Sequence, residues 1–226
     1  MLRRCRYAVA IVMLVAATAC GGRPGTRAAP DDPFATTPES GLPMGSLAGQ
    51  SALLLPAGGL VVGDSGNALP AIVARRAALL DYANAVVDTA VRRDAREVRW
   101  FGLTEQRRVA RGAPTLSLDP DHFSTAHLVD RRVGYVADPL RAQLRTLAGL
   151  TNARLALAPT VVRVSHRGGG GGCGGGGGRE GLIAEILWAA VDARLGSVVA
   201  RGRASGLPAP TAEAAIANAA ARLVAR

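Results

Sequence analysis

Leu182–Ser205 reads LIAEILWAAVDARLGSVVARGRAS, and its layout decides the fold. An apolar run from Leu182 to Ala193 reads as a buried strand. Asp192-Ala193-Arg194-Leu195-Gly196-Ser197 follows as a tight turn, because Asp and Gly are residues that turns favour. Val198 to Ser205 then returns as the partner strand of a hairpin.

Working upstream, Leu155, Leu157, Val161 and Arg163 lie along one face of an extended segment that ends near His166. Between that segment and the hairpin, 168–178 is all glycine except Cys173. A phosphate-binding loop also needs Lys and Ser or Thr at fixed places, and this chain has no lysine. The run therefore reads as an expanded, disordered hairpin loop. Downstream, Thr211 caps an Ala-rich helix with Ile216, Ala219 and Leu223 facing inward.

The first half supplies the remaining elements. Ala52-Leu53-Leu54-Leu55 and Leu60-Val61-Val62 form a short strand, interrupted at Pro56 and Gly58-Gly59. From Pro70, the pairs Ile72-Val73, Leu79-Leu80 and Val86-Val87 recur every seven residues, with Ala83 and Val91 on the same stripe, as in one long amphipathic helix. Val98 to Phe101 is a second short strand. Asp119-Pro120 opens a helix closed by Gly134, and Asp138-Pro139 opens another with Leu140, Leu144 and Leu147 inward. The expected fold class is α/β. One mixed, largely antiparallel sheet of four to five strands is flanked by helices, in a single domain over 51–226.

The start of the chain is an address. Arg3, Arg4 and Arg6 precede the uncharged run Tyr7–Thr18, and small residues follow, the three parts of a secretory signal over 1–19. The run is shorter than the roughly 20 apolar residues that cross a bilayer. Ala17-Thr18-Ala19-Cys20-Gly21 resembles the lipobox of bacterial lipoproteins, with Ala17 where the family favours Leu. The resemblance implies acylation of Cys20 and attachment to the cell envelope, with the outer membrane facing the periplasm as the expected location. The same small residues also suit ordinary signal peptidase. In that case Cys20 is a free thiol, and a bridge to Cys173 becomes conceivable. The Gly-, Pro- and Ser-rich stretch 20–50 reads as lipidated cysteine plus flexible tether.

Composition excludes some classes. The net charge is +10, carried by arginine alone. Those arginines fall in scattered pairs without aromatic neighbours, which argues against nucleic acid. His122, His127 and His166 have no metal-ligand spacing, and no cofactor or small-molecule substrate is indicated. Gly63-Asp64-Ser65-Gly66 and Asp119-Pro120-Asp121-His122 resemble the blocks of GDS-type esterases, which implies Ser65 as nucleophile. The Gly-x-Asn-Asp block that would complete the oxyanion hole is missing.

Ala190-Val191-Asp192-Ala193-Arg194-Leu195-Gly196-Ser197-Val198-Val199 resembles a hairpin shared by a group of envelope proteins. The group includes the curli-secretion lipoprotein, the lipoprotein activators of penicillin-binding proteins and the N-terminal domain of the Tol–Pal periplasmic protein. Leu195 stands where the group usually has Thr. The resemblance implies a small α/β domain and a non-catalytic role through contacts with another envelope protein.

Overall fold

Asp192 shows how locally the hairpin is specified. Its Oδ1 accepts the backbone N–H groups of Arg194 (3.0 Å) and Leu195 (2.9 Å), and Gly196 closes the turn at φ 74°, a conformation that glycine adopts without strain. In the computed structural model, which describes residues 32–42, 47–63, 69–167 and 181–224, this turn joins the last two strands of the chain at one edge of a mixed sheet.

In chain order the elements are α1 (Pro33–Thr36), β1 (Ser51–Leu54), β2 (Leu60–Val62), α2 (Leu69–Ala74), α3 (Arg76–Asp94), β3 (Arg99–Phe101) and α4 (Leu103–Gly112). They continue with α5 (Leu140–Thr151), β4 (Leu155–Arg167), β5 (Gly181–Asp192), β6 (Val198–Ser205) and α6 (Ala212–Val224). The sheet order is β3-β1-β4-β5-β6, with β2 also on β4. β1 and β2 run parallel to β4 as two parts of one interrupted line, pairing at Leu54↔Leu157 and Leu60↔Val162. β4–β5 and β5–β6 are antiparallel. The α/β class and the mixed sheet are thus observed, with five strands in the main order and β2 beside them.

Alternation along β5 divides the core in two. Ala184, Ile186, Trp188 and Ala190 join α3 and α6 on one face. Ala189 and Val191 join Leu140, Leu144 and Leu147 of α5 on the other. Thr211 caps α6 through its hydroxyl, which accepts the Ala214 N–H at 3.2 Å.

Three local expectations change. The long helix from Pro70 is two, because Arg75 leaves helical geometry (φ −104°, ψ 14°). The helix expected over 119–134 is two 3-10 turns, Pro120–His122 and Ala126–Val129, separated where Phe123 is extended. Asp138 caps nothing; it pairs with Arg141 at 2.9 Å while Pro139 stands at the start of α5. α4 has no counterpart in the sequence reading. Its buried residue is Gln106, whose Nε2 donates to the carbonyls of Leu54 (2.8 Å) and Phe101 (2.7 Å) and so ties α4 to the ends of β1 and β3.

Gln106→Ala leaves two strand-end carbonyls unmet in a site that is 0% exposed. Urea unfolding is expected to show a loss of about 2–4 kcal/mol, the cost of orphaned buried polar groups plus lost packing.

Candidate functional site

Cys20, Ser65 and Cys173 lie outside the described residues, as does the glycine run. Asp119 and His122 meet at 2.7 Å on the surface, and Asp119 also accepts the Asp121 N–H at the start of its 3-10 turn. Arg107 pairs with Asp121 next to them, and that bond holds the Asp121 carboxyl below its ordinary range. Among the described residues no three His, Cys, Asp or Glu side chains are grouped to hold a metal, and no helix is long and apolar enough to cross a membrane.

A cavity of about 380 Å³ lies between α3 and α4, bordered by Leu55, Asn84, Asp88 and Glu105. Its two carboxylates are both engaged by Arg92, whose Nε meets Asp88 at 2.8 Å and whose Nη2 meets Glu105 at 3.0 Å. Gly102 makes this closeness possible, since a Cβ there would stand 2.5 Å from Asp88 Oδ1.

The richest polar constellation is elsewhere, where the N-terminal arm meets the sheet. Arg163 of β4 and Glu185 of β5 are cross-strand partners, and Arg203 of β6 projects from the same face. Glu185 is 8% exposed. Arg163 Nε reaches its Oε2 at 2.8 Å and Arg203 Nη1 reaches its Oε1 at 3.1 Å, so both carboxylate oxygens are satisfied. This pair of guanidinium groups then reaches out to the arm. Arg163 Nη1 bonds Asp32 at 2.9 Å and its guanidinium stacks on the Phe34 ring at 4.0 Å, a cation–π contact. Arg203 Nη1 also donates to the Phe34 carbonyl, and Arg131 Nη1 donates to that of Thr36 at 2.7 Å.

Past Thr37 the arm turns over the sheet edge. Glu39 pairs with Arg203 as a parallel bridge, the Arg203 N–H donates to Pro38 (3.1 Å), and the Ser40 N–H donates to Arg203 (3.0 Å). Trp188, on the opposite face, donates its indole N–H to the Ser40 carbonyl at 3.0 Å. Gly202 leaves room for this crossing, since a Cβ would strike Ser40 and the Trp188 ring. Leu42 and Leu47 then enter the core on the α3–α6 face, with the Leu42 N–H bonded to Leu223 at 2.9 Å. The arm therefore wraps β6 from one face to the other. The stretch 32–42, which composition assigns to the tether, is packed structure, because Phe34 and Leu42 are buried and its polar groups are met by the sheet.

A second surface feature lies at the far end of β5 and β6. Tyr135, Leu195 and Val199 are exposed and are gathered around the turn by the Tyr135↔Ser197 bridge. Glu185 and Asp192 stand seven residues apart on β5, about 23 Å at ~3.3 Å per residue, while Val199 lines a pocket with Leu42 and Leu47 where the arm enters the core.

No protein-family profile matches the chain, and no curated protein matches it either. Among solved structures it is similar to the LpoB C-terminal domain from Salmonella enterica (12% identity, TM-score 0.34, covering 71% of this chain and 84% of that one). It is also similar to PelC, solved as a dodecamer, from Paraburkholderia phytofirmans (12%, 0.32, 83% and 92%). A third is the lipoprotein GNA1162 from Neisseria meningitidis (12%, 0.28, 71% and 81%).

Glu185→Ala strands two partly buried arginines and loosens the arm. Thermal or urea unfolding is expected to report a loss of about 3 kcal/mol. Arg154→Ala, which removes a 3.8 Å contact from a 70% exposed side chain, is expected to change stability by less than about 0.5 kcal/mol.

Proposed function

We propose that this protein is a lipid-anchored, non-catalytic accessory protein of the bacterial envelope, held on the outer membrane through Cys20 and acting by contact with another envelope protein. The observation that carries the reading is the placement of the arm. The lipobox-like cysteine and Asp32, the first described residue, are separated by 21–31 alone. That stretch spans about 40 Å at most when fully extended, so the domain stays close to the bilayer. Tyr135, Leu195 and Val199 are exposed around the β5–β6 turn, and there they are free to meet a partner.

The second reading, a secreted or lipid-anchored esterase using Ser65, is favoured by the 2.7 Å contact between Asp119 and His122. It predicts labelling of Ser65 by a serine-directed phosphonate.

Intact-mass measurement of the membrane fraction checks the anchor. The wild-type chain is expected to begin at Cys20 with diacylglyceryl and acyl additions, and Cys20→Ser to appear unacylated in the soluble fraction. An unmodified, soluble wild-type product contradicts the reading.

A further inference from the structure

A cleft of about 550 Å³ opens beside α1, walled by Pro33, Thr36, His127, Asp130, Arg131 and Arg132. Its charge is unbalanced. The Arg131 guanidinium donates to a carbonyl, that of Thr36, which leaves its charge uncompensated. Among the described residues the Arg132 guanidinium meets no hydrogen-bond or ion-pair partner, while the Arg132 backbone N–H donates to Asp130 Oδ1 at 2.9 Å. Arg201 rises from β6 under the same loop and is held by two more carbonyls, those of Leu128 (3.2 Å) and Val133. Burial, more than the neighbouring Arg131, presses the Arg201 pKa below its ordinary value. His127 borders the cleft with its Nε2 buried and unpartnered. Asp130 is the one carboxylate on the wall. Forked guanidinium groups that spend their hydrogen bonds on carbonyls keep a positive field suited to a phosphate.

We propose that this cleft takes the phosphate of an anionic phospholipid headgroup in the membrane that carries the protein. The choice of a lipid over a soluble phosphate rests on the proposed anchor at Cys20. Pro33, which walls the cleft, follows directly on Asp32, where the arm begins, so the cleft lies within the same reach of about 40 Å from the acylated residue. Headgroup capture would orient the domain on the bilayer, which one flexible attachment alone does not do.

The test uses the mature chain, residues 20–226, with Cys20→Ser so that no acyl group contributes. Its co-sedimentation is measured with phosphatidylglycerol-rich vesicles and with pure phosphatidylcholine vesicles. Binding is expected to the first and not the second. Arg131→Gln with Arg132→Gln is expected to weaken it more than tenfold, at roughly fivefold per charge near an anionic surface. Arg108→Gln with Arg111→Gln, which removes the same charge from α4, is expected to change it by less than about twofold, since those side chains lie outside the cleft. Asp130→Asn is expected to tighten binding by roughly fivefold, a gain that an unfolded variant does not produce. Equal losses from the two double variants, or binding of inorganic phosphate without binding of vesicles, would overturn the proposal. The mass of the wild-type chain is read separately, so an unacylated Cys20 with intact vesicle binding removes the anchor and leaves the headgroup site standing.

Discussion

Glu185 brings a carboxylate into the middle of β5, and the rest of the N-terminal architecture follows from how that charge is met. A nearly buried carboxylate is stable only when its oxygens are engaged by opposite charges or donors. Here Arg163 and Arg203 approach from the two neighbouring strands and take one oxygen each. Each arginine retains donors beyond those used on Glu185. The spare donors project toward the sheet edge, where Asp32 and the Phe34 carbonyl receive them. The carboxylate thus organises two cations, and the cations organise the arm.

The arm in turn settles two matters at once. It closes the exposed edge of β6, an edge that would otherwise offer unpaired backbone groups to other chains. It also fixes where the preceding chain joins the domain. One face near that junction carries the Arg131–Arg132 cleft, and the exposed residues Tyr135, Leu195 and Val199 stand around the β5–β6 turn.

Much of this fold was legible in the sequence. The hairpin at Asp192–Ser197, the α5 stripe of Leu140, Leu144 and Leu147, and the Thr211 cap are local patterns, and all three are observed. What escaped depends on polar residues used as core. α4 has almost no apolar periodicity because its inward residue is Gln106, which holds strand ends by hydrogen bonds that hydrophobic patterning does not register. The arm was read as tether for a similar reason. Pro33, Pro38, Pro43 and Ser40 look like linker composition, while the features that fold it, Asp32 and Phe34, both find Arg163, 131 residues from Asp32 in sequence. The face read for Arg163, shared with Leu155 and Leu157, is corrected by the β-bulge between Pro159 and Val161, which turns Val161 and Arg163 to the opposite face, where Arg163 pairs with Glu185. A single signal did exist: Glu185 interrupts an otherwise apolar strand, and a buried acid implies a cationic partner nearby.

The central claim is that the arm from Asp32 to Leu42 belongs to the folded domain. Amide hydrogen exchange at Ser40 and Leu42 tests it most directly, because their N–H groups donate to Arg203 at 3.0 Å and to Leu223 at 2.9 Å. Protection at both amides close to that of the β5–β6 ladder is expected, lost together in Glu185→Ala. Exchange at free-peptide rates while β5 stays protected would show that the arm is part of the tether after all.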